Sequence, residues 1–144
     1  MTATEIIQLT LTRNVSEQHI LASDITVATK RYVDAYIQDY STSGTYYDTY
    51  IKPVIAHGTI VDIWERLANE ITDRGMVKML SQGAANTSTD EKQQLRNEMQ
   101  AKLNDLIELM CDNVTAGVTL TDEAAALDNF CMVQWSGTEI QGRL

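Results

Sequence analysis

The sequence predicts an all-α fold: a small bundle of three to four helices with a short extended arm and an extended C-terminal tail. Three observations predict it. A single proline, Pro53, interrupts 144 residues, and scarce proline within a long polar–apolar pattern favours helix. Between Tyr50 and Ile71, apolar residues cover most of a helical circumference, the mark of a central, buried helix. Leu95, Met99, Leu103, Leu106, Met110 and Val114 recur in steps of four and three, which makes a narrow apolar stripe on an otherwise charged helix.

Taken in order, residues 3–12 carry Ile6, Ile7, Leu9 and Leu11, and fit either one or two helical turns or a strand. A first helix is expected from Ser23 to Tyr40, with Ser23 or Asp24 as the N-cap, because a side-chain oxygen there accepts from an orphan N–H. Ile25, Ala28, Tyr32, Tyr36 and Tyr40 share one face of it, widened by Val33 and Ile37. Ser41–Gly44 reads as a loop. A second helix runs from Tyr46 to Glu70. Either Pro53 kinks it, or Tyr46–Lys52 is a separate turn and Pro53 sits at the first helical position.

Gly75 closes the second helix, since glycine takes the left-handed conformation readily. Met76, Val77, Met79 and Leu80 follow without caps and read as a short strand or an extended arm. The third helix opens on Ser88-Thr89-Asp90-Glu91, the spacing of a capping box, carries Ile107 and Leu109 beside its stripe, and is closed by Ala116-Gly117. The chain thus divides into a bundle over 1–114 and a tail over 115–144. Phe130, Met132, Val133 and Trp135 lie in that tail among glycine, hydroxyl and acidic residues. So short a segment does not bury its own Phe and Trp, which marks it for docking on another surface.

The formal net charge is −9, and the longest basic cluster is the pair Lys30-Arg31. That excludes a phosphate-gripping nucleic-acid binder, whereas an acidic wall lets a polyanion slide past. No apolar run approaches the roughly 20 residues of a membrane span, and Met1–Glu5 lacks the pattern of a signal peptide. Cys111 and Cys131 read as reduced thiols, with a helix-to-tail disulfide as the alternative. His19 and His57 have no ligand or nucleophile spacing around them. Asp34, Asp39 and Asp48 read as helix edges. No enzyme activity, metal or cofactor is expected. The six tyrosines between Tyr32 and Tyr50 suit equally a core edge or an interface.

The order of segments adds a resemblance. Ile25–Ile37 with its Ala28-Thr-Lys-Arg31-Tyr32 run, then Tyr50-Ile51-Lys52-Pro53, then Thr72-Asp73-Arg74-Gly75-Met76-Val77, then the amphipathic helix Glu91–Val114, together resemble the head–tail connector (adaptor, or head-completion) proteins of tailed bacteriophages. The resemblance covers roughly residues 20–114. It implies a helical-bundle protomer in a homo-oligomeric ring of about twelve copies. That ring would lie beneath the portal protein, extend the DNA channel without binding DNA specifically, and dock the next neck or tail protein. It implies a place in the virion and no catalytic residues. Met76, Val77, Met79 and Leu80 of the arm, and Phe130, Met132, Val133 and Trp135 of the tail, are the expected inter-subunit or partner contacts. Tyr50, Pro53 and Gly75 are the expected structural positions. The alternative is a small acidic helical regulator or inhibitor of a basic partner.

Overall fold

Pro53 lacks an N–H and its ring crowds the carbonyl four residues back, so an ordinary α-helix cannot pass through it unchanged. The computed structural model, which describes residues 1–10, 15–70 and 89–126, shows how the chain manages this. A wide π-turn over Tyr47–Ile51 leads directly into an α-helix with Pro53 in its first turn. The extra residue of a π-turn relieves the crowding a proline brings. The observed form combines the two expected alternatives: the helical path is continuous, and Pro53 stands at its regular start.

In chain order the helices are α1 (Ala3–Thr10), α2 (Ala22–Thr29), α3 (Lys52–Asp62), α4 (Trp64–Glu70) and α5 (Thr89–Asp112). Helix α2 runs on through a π-turn, Lys30–Asp34. Helices α1, α2 and α5 all pack on α3. On one flank Val33, Ile37, Ile51, Val54, Ile55 and Val61 meet Leu103, Ile107 and Met110 of α5. On the other, Ala56 and Ile60 meet Ile6 of α1, Ile20, and Trp64 and Leu67 of α4. The all-α bundle and the central place of the 52–67 segment are as the sequence predicts. Each fully buried Ile or Leu on α3 contributes on the order of 2 kcal/mol by leaving water.

Three expectations need correction. The second helix is interrupted at Ile63, whose φ of −94° and ψ of 6° fall outside the helical region. Just before it, the buried Thr59 hydroxyl donates 2.7 Å back to the Ile55 carbonyl, a bond that bends helices. The first helix does not reach Tyr40. It ends in the π-turn, and Ile37–Gln38 (β1) pairs antiparallel with Thr119–Leu120 (β2), Ile37 opposite Leu120. Asp39 then takes a positive φ of 60°, which aspartate tolerates better than most residues. Ile37 is fully buried in this arrangement.

The third correction concerns the tail. Residues 115–126 are part of the bundle. Besides the β1–β2 pair, the Thr121 N–H donates 2.9 Å to the Tyr36 carbonyl and its hydroxyl donates to Ala35 O. A helical turn over 122–126 follows, with Ala124 fully buried in the α3–α5 core. Backbone groups at the end of α2 find partners there that a helix reaching Tyr40 would have supplied itself.

The stripe on α5 is as expected at its centre: Leu103 and Met110 are fully buried and Ile107 nearly so. Helix α5 begins at Thr89, next to the expected cap Ser88, and Gly117 turns the chain at φ 94° after it. None of the described helices is long and apolar enough to cross a membrane.

Candidate interaction site

The polar side chains of the bundle tie its helices together. Asp62, at the end of α3, accepts from Arg31 at 2.8 Å and from the Tyr32 hydroxyl at 2.6 Å. These bonds fasten α2 to α3 where the two run closest: Gly58 faces the Tyr32 ring, and a β-carbon at Gly58 would lie 2.9 Å from Tyr32 Cε2. Arg66 of α4 reaches back to both oxygens of Asp24, at 2.5 and 3.1 Å, and to the His19 carbonyl at 2.8 Å. Hydrogen bonding from Arg66 holds the Asp24 carboxyl below the ordinary carboxylate range. Asp24 does not cap α2 as its N-cap residue; from inside the first turn its Oδ2 accepts the Leu21 N–H at 2.8 Å.

Tyr50 and Pro53 flank a second knot. Lys52 Nζ lies 2.9 Å from Asp48 and 3.2 Å from Glu5 of α1, and above the Tyr47 ring. The Tyr46 and Tyr50 rings stand 5.4 Å apart, and the Tyr46 hydroxyl donates 2.6 Å to the Met110 carbonyl of α5. Burial pushes the Tyr46 phenol up to about 12. Tyr40 donates to Asp34, and burial together with that carboxylate raises its phenol further. All six tyrosines thus pack in or against the bundle core, and Tyr32, Tyr40 and Tyr46 also bond through their hydroxyls.

The histidine and the carboxylates singled out in the sequence lie apart among the described residues. His57 Nδ1 donates 2.9 Å to the Pro53 carbonyl, and burial lowers its pKa. Asp34, Asp39 and Asp48 do not converge: they meet Tyr40, Thr119 and Lys52 respectively. Among the described residues no group of three or more His, Cys, Asp or Glu is placed to hold a metal ion. A shallow hollow of about 410 Å³ beside the strand pair is lined by Asp34, Gln38, Asp122 and Glu123. These acids make a local negative surface and present no nucleophile or base aimed at a common point.

What the bundle offers outward is surface. Leu21, Val27, Leu109, Leu9 and Leu120 are the exposed large apolar side chains among the described residues. The sequence places Leu109 beside the α5 stripe, and helical spacing from Leu103 and Met110 turns it to the far side. Val27 was legible only as a position off the α2 core face. The contacts expected in the arm and tail, Met76, Val77, Met79, Leu80, Phe130, Met132, Val133 and Trp135, together with Gly75, lie outside the described residues.

No curated protein and no solved structure matches the chain. One family does, over α1 through the turn that follows α5: the chain belongs to the family of unknown function DUF6712, whose family model matches residues 5–116.

Proposed function

We propose that this protein is a structural head–tail adaptor of a tailed phage. In this reading it forms a ring beneath the portal, extends the DNA channel and docks the next neck or tail protein. The observation that carries the reading is where the connector-like residues fall. Tyr50-Ile51-Lys52-Pro53 is the joint that starts the central helix: Ile51 is fully buried, Lys52 ties α1 to it, and Pro53 sets its first turn. The Ile25–Ile37 run packs against that helix on one flank, and α5 packs on it as well. Three of the four segments that carry the resemblance thus help build the bundle, and the fourth, Thr72–Val77, lies outside the described residues.

Two further features support it. Asp62, Arg66, Lys52 and Tyr46 tie helices to one another, which suits a rigid ring subunit. A net charge of −9 suits a wall past which DNA slides. The competing reading, an acidic inhibitor of a basic partner, calls for a concentrated negative face. Glu5, Asp24, Asp48 and Asp62 are paired with cations of the same chain, and the exposed acids are divided between α5 and the hollow beside the strand pair.

The test is cross-linking mass spectrometry on purified particles from a culture producing the protein. Links between copies of the chain and links to the portal are expected. Absence of the chain from particles, or links only to a soluble basic protein, would overturn the proposal.

A further inference from the structure

Lys30 and the outward Leu109 make no tie within the bundle among the described residues, and Arg31 makes one, to Asp62. At a net charge of −9, two copies repel each other at long range, so a contact that brings a cationic patch to an acidic one is favoured. Among the described residues these lie on different helices. On the outer side of α2, Val27 is 46% exposed, and Lys30 and Arg31 follow it at the three- and four-residue spacings that share a helical face. Lys30 has no ion-pair partner among the described residues, and Arg31, although bonded to Asp62, keeps more than half its side chain exposed. Asp34, the next exposed residue along that face, accepts the Tyr40 hydroxyl and lines the hollow with Asp122 and Glu123, so the cationic patch ends at Arg31.

On the outer side of α5, Leu109 is 50% exposed and stands among the exposed acids Glu98, Asp105 and Asp112, against one cation, Lys102. Both helices pack on α3, so one molecule offers the two faces as separate surfaces. Each face has an apolar centre with charge around it, the layout of a protein interface, and the charges are opposite in sign.

We propose that the Val27–Lys30–Arg31 face of α2 docks on the Leu109–Asp105–Asp112 face of α5 in a second copy of this chain, head to tail. Such a contact is heterologous: each copy presents one face to each neighbour, and repetition closes a ring or extends a filament. The inference rests on the ring reading and names the faces that meet. The exposed Leu120 is a poorer centre, since its neighbours Asp122 and Glu123 carry the sign of the α5 face.

The test uses full-length chains in a Cys131→Ser background. One carries Val27→Cys and the other Leu109→Cys, both at exposed positions. They are mixed at high concentration under mild oxidation. Disulfides between the two variants are expected in excess over either variant paired with itself. Lys30→Glu in the first chain should cut the mixed product about fivefold, the size of an exposed charge contact, and Asp105→Lys with Asp112→Lys in the second should restore it. A mixed yield no higher than that of Gln8→Cys, predominance of self-pairs, or indifference to the charge reversals would overturn the proposal. Portal links in particles with no Val27–Leu109 link would leave the adaptor reading standing and sink this one. A strong mixed link in a chain absent from particles would do the reverse.

Discussion

Gly58→Ala is the sharpest test of how α2 and α3 fit together. In an exposed helix interior this change stabilises by about 1 kcal/mol, because glycine is the more costly residue there. At Gly58 the new β-carbon would meet the Tyr32 ring, 2.9 Å from Cε2 and 3.2 Å from Cγ. The ring is not free to swing aside, since its hydroxyl is held 2.6 Å from Asp62. Overpacking of this kind costs about 2 kcal/mol, and loosening the Tyr32–Asp62 bond costs about 1 kcal/mol more. Set against the propensity gain, the net expectation is a loss of about 2 kcal/mol. Urea unfolding followed by far-ultraviolet circular dichroism should show the midpoint falling by about 1 M with little change in slope. In a Tyr32→Ala background, the same Gly58→Ala change should cost nothing or stabilise. A stabilising effect in the native background, or an equal loss in both, would refute the close-approach argument.

Further outcomes follow from the same packing. Leu103→Ala should lose about 3 kcal/mol from a fully buried site on α5, and Leu109→Ala, on the exposed side, less than about 0.5 kcal/mol in the same urea assay. Asp24 has a lowered pKa in the fold, so its pairing with Arg66 stabilises above the ordinary aspartate value of 3.8 and is lost as pH falls through the folded value. Asp24→Asn should therefore flatten the acid limb of a stability-versus-pH curve. Tyr46 has a raised pKa, so its contribution is whole below the ordinary tyrosine value of 10.0 and fades as pH rises toward about 12. Tyr46→Phe should cost about 1 kcal/mol at neutral pH and remove one late-titrating phenol from the ultraviolet absorbance curve.

Local patterns were readable from the sequence where a single helix carried the information. The Leu103–Met110 stripe and the central burial from Val54 to Leu67 each follow from spacing within one segment, whereas Pro53 left a kink and a helix start equally open. What was not readable depends on a partner far along the chain. Tyr32, Tyr36 and Tyr40 keep a four-residue step, so the pattern reads as helix through Ile37. The strand pair that takes Ile37 instead is made with Leu120, more than eighty residues on. Gly58 looks like a weak point in a helix until Tyr32 is seen against it. Asp62 and Arg66 stand in no motif of the sequence, yet each closes a link to another element. Of the expected site positions, Tyr50 lies in the π-turn that precedes α3 and Pro53 in the first turn of α3.

The tail expectation changes most, and with it the truncation that would test assembly. If everything after residue 114 were an extended arm, cutting there would spare the bundle. In the fold, that cut removes β2, the Thr121 bonds to Ala35 and Tyr36, and Ala124 from the α3–α5 core. The carbonyls at the end of α2 lose their partners, and the cluster that buries Ile37 loses Ala124 and Val118. Two to three hydrogen bonds at about 1 kcal/mol each, with partial exposure of one isoleucine, amount to about 3 kcal/mol. A chain ending at Val114 should thus unfold at lower urea than a chain ending at Ala126 by about that energy. Equal stability of the two would refute the packed reading of 115–126. It follows that an assembly defect in the shorter chain says nothing about partner contacts, because it carries a folding defect too. Only the cut after Ala126 separates the adhesive role proposed for Phe130 and Trp135 from the role of 115–126 in holding α2 to its own core.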